Sequence, residues 1–244
     1  MNIHPSGKFA YVKRGSLSSE TISILAINED SGMLTPATPA TELQVPAAVM
    51  DIAIDSAGSF LYVTSSDNNV RSYRINSETG ELLFDSEVAS GPGAQEVIVA
   101  PSAAALYVLN RGNGTVSVHA LDAGSPGAAT FITAGDFGVS MKIDPGGQFV
   151  YVIAFLDADA SNIFLAFRID AEGRLNAEAT TTLHGAAFDF AASPSGQFVY
   201  IAYASEEFLF GYTVHPLTGA LNRLEPPFPA PAVPRDIRIV DVPA

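Results

Sequence analysis

A short apolar motif that contains a tyrosine occurs five times along the chain, each time shortly after a predicted turn. The five tyrosines are Tyr11, Tyr62, Tyr107, Tyr151 and Tyr200. They are separated by 51, 45, 44 and 49 residues, which is the spacing of four-stranded propeller blades. The repeat therefore predicts a row of similar β-sheet units.

The second copy shows the predicted unit most clearly. Its apolar and polar residues predict four strands, named A to D from centre to rim, at Asp51–Asp55, Phe60–Thr64, Val70–Ile75 and Leu82–Phe84. Strand B is apolar at consecutive positions, so both faces of each sheet must be covered. Blades stacked around an axis meet that requirement, whereas a sandwich would give an alternating pattern.

Glycine marks the turns of the repeat. It lies four residues before the tyrosine in the turn between strands A and B of four copies, as Gly7, Gly58, Gly147 and Gly196. Glycine suits a turn position with positive φ because it has no Cβ. The third copy has Ala103 there, and its C–D turn is Ala123–Pro126. We expect both turns of this copy to be built differently.

These patterns predict one all-β domain over residues 1–244, a β-propeller of five four-stranded antiparallel blades. The repeat units cover about residues 1–46, 47–92, 93–136, 137–184 and 185–234. The chain begins inside a blade and ends on a further strand A. We therefore expect the segment 235–241 to pair with the N-terminal blade and close the ring, within the known range of about 4–8 blades.

Composition narrows the classes of partner. The chain has 12 basic and 26 acidic residues and a net charge of −14, which disfavours binding to nucleic acid or to anionic membranes. No segment predicts a signal peptide or a membrane span, so we expect a soluble protein and favour the cytoplasm. Cysteine is absent, which fits a location inside or outside the cell. The oligomeric state is left open.

Two segments resemble a known family. Ile3–Val12 and the stretch Ala94–Gly112 are similar to the lactonase-type β-propellers, which include propeller 6-phosphogluconolactonases and fungal carboxymuconate cyclases. Pro234-Arg235-Asp236 resembles the motif that precedes inner strands in this family. Similar repeats also occur in non-catalytic surface propellers of the YVTN type. The family is seven-bladed, whereas this chain carries five units.

The resemblance implies hydrolysis of a small sugar or carboxylated lactone at one mouth of the central channel, without a metal or another cofactor. Such a reaction needs a base and cationic oxyanion partners, drawn from the start of strand A and the B–C loop. We predict Glu96 as the base and Arg111 and Arg235 as its partners. The predicted substrate-binding residues are Arg14, Asn110, Asp236 and His184. Asp51 and Asp67 lie at comparable places.

Two alternatives remain open from the sequence. In the first alternative, Glu96 and Arg111 only pair across a loop and hold adjacent strands together. In the second, the propeller is a non-catalytic scaffold whose partner is another protein or a ligand. The predicted partner is therefore either a small lactone or a protein, and enzymatic activity is left undecided.

Overall fold

The computed structural model describes residues 1–13, 20–158, 160–203, 207–230 and 237–239. These residues form β-strands, turns and irregular segments, with no helix among them. The strands pair in five antiparallel sheets, each following the chain from an inner strand A to an outer strand D. The predicted all-β class and the four-stranded antiparallel units are confirmed.

The strands are numbered in chain order, and sheet 1 has two short segments, β4 and β5, in the outer position. Sheet 1 contains β1 (Asn2–Ile3), β2 (Phe9–Lys13), β3 (Thr21–Ile27), β4 (Leu34–Pro36) and β5 (Glu42–Gln44). Sheet 2 contains β6 (Val49–Ile54), β7 (Phe60–Ser65), β8 (Asn69–Ile75) and β9 (Leu82–Ala89). Sheet 3 contains β10 (Ala94–Val99), β11 (Ala105–Asn110), β12 (Thr115–Asp122) and β13 (Ser125–Thr133).

The last two sheets repeat the same order. Sheet 4 contains β14 (Phe137–Ile143), β15 (Phe149–Leu156), β16 (Ser161–Ile169) and β17 (Leu175–Thr182). Sheet 5 contains β18 (Ala187–Ala192), β19 (Phe198–Tyr203), β20 (Phe208–Val214), β21 (Leu221–Arg223) and β22 (Phe228–Pro229).

The chain divides into two compact units, which are described separately. Unit 1 comprises residues 1–110 and 116–131, and unit 2 comprises residues 111–115 and 132–244. Unit 1 contains sheets 1 and 2 with most of sheet 3, and unit 2 contains sheets 4 and 5. The single-domain organisation over 1–244 remains a prediction.

Strand B separates two cores, as its apolar sequence requires. In sheet 2, Leu61 and Val63 pack into the core shared with sheet 1, and Phe60 and Tyr62 pack into the core shared with sheet 3. Unit 2 has the same arrangement, because Phe149 and Tyr151 of sheet 4 pack against Phe190 and other side chains of sheet 5. The apolar side chains of strand B therefore bind consecutive sheets together.

The expected departure of the third A–B turn is wrong. Ala103 has a φ of 53°, close to the 70° of Gly58, and its N–H donates to the carbonyl of Ala100 just as that of Gly58 donates to Asp55. The main chain therefore keeps the glycine conformation although alanine is strained there. The third C–D turn does differ, since Ala123 and Gly124 alone connect β12 to β13 with φ of 48° and 89°, as in a type I′ hairpin.

The predicted closing strand lies largely outside the described residues. Residues 237–239 are described and belong to no strand. The inner neighbour of β2 is β1, in which Asn2 pairs with Tyr11 and Ile3 with Ala10. Closure of the ring by residues 235–241 thus remains a prediction.

Candidate functional site

A β-bulge occurs near the start of four inner strands. The pairing with strand B shifts between Val49 and Asp51, between Ala94 and Glu96, between Gly138 and Ser140, and between Ala187 and Asp189. Bulges redirect a side chain and are frequent beside active sites. The residue directly after the shift is polar in every case, and we call it the post-bulge position: Asp51, Glu96, Ser140 and Asp189.

In unit 1 the post-bulge position brings two carboxyl groups to neighbouring inner strands. Strands β6 and β10 are in contact, and Asp51 and Glu96 are both half-buried. The N–H of Val97 donates to Asp51 Oδ2 at 3.1 Å, and the Thr64 hydroxyl donates to the carbonyl of Gln95 at 3.0 Å. These bonds cross between sheets 2 and 3, so they hold the two acidic positions together.

The environment of Asp51 favours its protonated form. Burial raises the pKa of the Asp51 carboxyl, and the N–H groups of Val97 and Ile52 with the charge of Lys13 only partly oppose this effect. The Lys13 ammonium itself donates to the carbonyl of Met50. A carboxyl group with a raised pKa can donate a proton at a pH where an ordinary aspartate cannot.

In unit 2 the same position is part of an ion pair. Lys142 Nζ lies 2.6 Å from Asp189 Oδ1 and also donates to the carbonyl of Phe190. The Ser140 hydroxyl donates to Asp189 Oδ1 at 3.1 Å, and the N–H of Ile237 donates to Asp189 Oδ2 at 3.2 Å. Burial acts to raise the pKa of Asp189, but the hydrogen bond and charge of Lys142, with the N–H groups of Ile237 and Phe190, lower it overall.

Sequence reasoning missed both Lys142 and Asp189. The available signal was a lysine inside an inner strand, Ser140-Met-Lys-Ile143, and an aspartate at the place of Asp51 three repeats later. The bulge shifts that align these residues are not visible in the sequence, because a pairing register is a property of two strands.

The predicted residues Asn110 and Arg111 lie at the end of β11. Asn110 is buried, and its amide accepts from Ser90 and from the N–H of Gly91 at 3.1 and 3.0 Å and donates to Ser117 at 2.6 Å. Arg111 is exposed, and its guanidinium lies 4.4 Å from the centre of the Phe137 ring. The amide of Asn110 thus anchors a loop, whereas the Arg111 side chain lies at the surface.

The other predicted residues divide between exposed and undescribed positions. His184 is exposed between β17 and β18, with its ring 6.0 Å from that of Phe210. Arg14, Arg235 and Asp236 lie outside the described residues. The assigned roles of all seven predicted residues remain predictions.

Asp67, in the B–C loop of sheet 2, belongs to a structural clamp. Buried Arg71 lies 2.6 Å from both Asp67 Oδ2 and Glu87 Oε2 and donates to Ser65 at 2.9 Å. The hydrogen bond from Arg71 lowers the pKa of Asp67. This aspartate therefore holds its loop in place and stays ionised.

Within the described ranges, no group of three or more His, Asp or Glu side chains is arranged to hold a metal ion. Over the same ranges, no helix is long and apolar enough to cross a membrane.

The antiparallel sheets and the solved structures they match define the class of protein, which is a β-propeller. The gluconolactonase of the Pseudomonas aeruginosa periplasm matches with a TM-score of 0.78 and 22% identity, over 99% of this chain and 72% of that one. A candidate 6-phosphogluconolactonase of Bacteroides fragilis matches with a TM-score of 0.73 and 17% identity, over 92% and 68%. Hydrazine synthase of Kuenenia stuttgartiensis matches with a TM-score of 0.68 and 16% identity, over 91% of this chain and 64% of that one.

Within that class, residues 1–98 match the sequence model of the family described as lactonase, 7-bladed beta-propeller. The predicted resemblance to lactonase-type propellers is thereby confirmed. No curated protein matches the chain. The three structural likenesses given above are below 25% identity, and one of them is to a hydrazine synthase, so they show the fold alone.

Proposed function

We propose that this protein is a lactonase-like hydrolase acting on a small sugar or carboxylated lactone. The observation that carries the proposal is the match of residues 1–98 to the lactonase propeller family. The placement of Asp51, whose carboxyl pKa is raised by burial, and of Glu96 on neighbouring inner strands supports assigning the acid and the base of the reaction to these two residues.

The reaction assigns different tasks to the two carboxyl groups. Glu96 accepts a proton from water, whose oxygen bonds to the lactone carbonyl carbon. The bond between that carbon and the ring oxygen then breaks, and the ring oxygen takes a proton from Asp51, which gives the open hydroxy acid. Regeneration returns the proton from Glu96 to Asp51 through water.

Cationic groups are assigned to the oxyanion and to the anionic part of the substrate. The planar guanidinium of Arg111 suits a carboxylate or phosphate, and Arg235 is assigned the same task. Arg14, Asn110, Asp236 and His184 are assigned to binding the sugar or acid chain. In a protein of net charge −14, local cations are needed to offset repulsion of an anionic substrate.

Hydrolysis of gluconolactone and 6-phosphogluconolactone by the purified protein tests this proposal, with the spontaneous rate in buffer subtracted. We expect a rate above buffer, and a loss of about 10²–10⁴-fold in kcat for Glu96→Gln, as for removal of a general base. Glu78→Gln is the matched control, since Glu78 is exposed in the C–D turn of sheet 2. A folded protein without activity on either lactone, or equal rates for both variants, would contradict it.

A binding scaffold is the second candidate function, favoured by neighbouring exposed apolar side chains on β9. Leu83 is 52% and Phe84 62% exposed, so this outer strand presents large apolar side chains to solvent, and exposed apolar surface can mark an interaction site. A folded chain that hydrolyses no lactone but binds a protein, and loses that binding in Phe84→Ser, would support the scaffold.

A further inference from the structure

The loop between β11 and β12 contains Asn113-Gly114, the one Asn-Gly pair in the sequence. Asn113 is exposed, whereas Gly114 is buried and has a φ of 59°. A Cβ at Gly114 would lie 2.1 Å from the carbonyl oxygen of Gly135, so the fold requires glycine at this place. The main-chain nitrogen that follows Asn113 therefore has no side chain beside it to shield it.

The same nitrogen is not engaged in hydrogen bonding. Among the described residues the N–H of Gly114 donates to no acceptor, although its carbonyl accepts from Ala134 and Gly135 at 2.8 and 3.1 Å. In the B–C loop of sheet 2, Asn68 has a similar φ of 64°, but its N–H donates to the carbonyl of Ser65 at 3.0 Å. A nitrogen held in this way must lose a hydrogen bond before it can react, so the nitrogen of Gly114 is the more reactive of the two.

The side chain of Asn113 is held with its carbonyl oxygen on a donor. The Thr115 hydroxyl donates to Asn113 Oδ1 at 2.9 Å. A donor at a carbonyl oxygen stabilises the negative charge that develops there when a nucleophile attacks the carbon. Three consecutive residues thus supply an attacking nitrogen, an electrophilic carbon and an oxyanion donor.

We propose that Asn113 is a site of spontaneous deamidation in the folded protein. The nitrogen of Gly114 bonds to Cγ of Asn113, and its proton passes through water to the side-chain amide, which leaves as ammonia. The product is a five-membered succinimide. Water then adds to one of its two carbonyl carbons and breaks the bond from that carbon to the ring nitrogen. Cleavage at Cγ gives isoaspartate's isomer, aspartate, in the reverse sense of ring closure, and cleavage at the main-chain carbon gives isoaspartate.

The chain itself is the substrate of this reaction, which needs water and no cofactor or partner protein. It does not depend on lactone hydrolysis. Its first consequence is one further negative charge in the loop that carries Arg111, because a neutral amide becomes a carboxylate. The modified loop therefore differs from the original in charge whichever product forms.

The repeat indicates that the fold accommodates aspartate at residue 113. Asn68 and Gly114 have similar φ values, and the carbonyl of each accepts the N–H of the residue that follows the outer strand of its sheet. Asp67 of sheet 2 therefore occupies the place that Asn113 occupies in sheet 3. Because Asn113 is exposed, a carboxylate formed there is solvated by water.

Isoaspartate is not accommodated in the same way, because it adds one carbon atom to the main chain. The carbonyl of the following Gly114 is fixed by two hydrogen bonds to the segment before β14, and the Gly135 carbonyl leaves no room for even a Cβ. A longer main chain must displace Gly114 and weaken those bonds. Deamidation therefore divides the protein into a stable aspartate form and a destabilised isoaspartate form.

Incubation of the folded protein at mildly alkaline pH, followed by digestion in acid and peptide mass spectrometry, tests the site. We expect the peptide with Asn113 to gain the mass of an amide-to-acid exchange before any other asparagine peptide. Thr115→Val should slow the reaction about 2- to 10-fold, as for loss of one neutral hydrogen bond. Thr130→Val, at an exposed position of β13, is the matched control and should keep the parental rate.

The same pair of variants in concentrated urea separates the effect of the fold from that of the local sequence. There the parent and Thr115→Val should react at equal rates, because the loop geometry is lost. No reaction at residue 113 of the folded protein, a rate in folded Thr115→Val equal to or above the parental rate, or a difference that persists in urea would each overturn the proposal.

Thermal unfolding distinguishes the two products. Asn113→Asp represents the aspartate form and should melt within about 2 °C of the parent, as for other exposed substitutions. The isoaspartate form, purified from aged protein and identified with an isoaspartate-specific methyltransferase, should melt about 2–8 °C lower through loss of one or two hydrogen bonds. An Asn113→Asp variant that does not fold, or an isoaspartate form that melts like the parent, would overturn the assignment of a stable and a destabilised form.

Discussion

At the scale of single residues, a repeated tyrosine of one sheet contacts a turn glycine of the next sheet. Both are visible in the sequence as periodic residues, and the buried state of four tyrosines follows from their place in an apolar strand. Their mutual contact, such as Tyr11 with Gly80, could not be predicted, because it joins residues of different repeats. A periodic pattern indicates what each unit contains and does not indicate which atoms meet between units.

Alanine variants of two glycines with the same conformation distinguish the free-energy cost of backbone strain from the cost of steric overlap. Gly80 and Gly32 have φ of 73° and 68°. A Cβ at Gly80 would lie 2.6 Å from Cδ1 of Phe9, whereas nothing lies within 4 Å of a Cβ at Gly32. Both alanine variants carry about 1–2 kcal/mol of strain, and Gly80→Ala should lose a further ~1–3 kcal/mol through overlap. Equal losses in urea unfolding would contradict the contact.

The buried side chain of His119 makes the stability of the fold depend on pH. Its side chain is fully buried, Nδ1 bonds the carbonyl of Gly127 at 2.9 Å, and Nε2 has no hydrogen-bond partner within the described residues. Burial lowers the pKa of His119. Below its unfolded value of about 6.5, the unfolded chain binds more protons than the folded chain, so stability falls as the pH falls.

The variant His119→Asn keeps a donor for Gly127 and removes the titration. We expect the free energy of unfolding to fall less between pH 7.5 and 5 in this variant than in the parent. His215→Asn, at an exposed turn, is the control and should retain the parental pH dependence. Urea midpoints at both pH values measure the difference, and an unchanged pH dependence in His119→Asn would exclude this histidine as its source.

At the scale of strands, the bulges of the inner strands determine which polar groups lie together. The sequence predicted strand A and its acidic residues, and Asp51 and Glu96 were placed correctly at its start. It could not predict that Asp189 takes the same position and pairs with Lys142, because the shift between Ala187 and Asp189 appears only when two strands are aligned. Asn110 is predicted to bind substrate, and the bonds of its amide within the protein could not be predicted, because they depend on burial and on the neighbouring loop.

Asp51 and Asp189 occupy equivalent positions in different surroundings, so their replacement by asparagine should change the free energy of unfolding by different amounts. The lowered pKa of Asp189 means that its ionised form stabilises the fold above about pH 4, and that this contribution is lost as the pH falls through the folded pKa. We expect Asp189→Asn to lose about 1.5–3 kcal/mol at pH 7, as for hydrogen bonds to a charged group, and less at pH 3.

The raised pKa of Asp51 has the opposite sign, because its ionised form destabilises the fold. Asp51→Asn should therefore cost less than Asp189→Asn at pH 7, and the two variants should converge at low pH. Guanidinium unfolding at both pH values measures the difference. Equal losses at pH 7 would show that the two environments do not differ as described.

At the scale of the whole molecule, the question is whether every sheet face is covered. Repeat units depend on their neighbours, since each buries its apolar faces only against the next. Sequence periodicity indicated five units and the need for cover on both sides. It could not indicate what covers the last one, because no local pattern distinguishes a ring that closes on itself from a sheet awaiting a partner.

Truncation of Tyr151 and Tyr200, which are equivalent in the repeat, measures how well each sheet face is covered by its neighbours. Tyr151 is 2% exposed and packs against both Phe164 and Phe190, so Tyr151→Ala should cost about 3–5 kcal/mol, as for other core aromatics. Tyr200 is half-buried beside an exposed Phe228, so Tyr200→Ala should cost less than half as much in denaturant unfolding. Equal costs for the two variants would show that Tyr200 is covered as well as Tyr151.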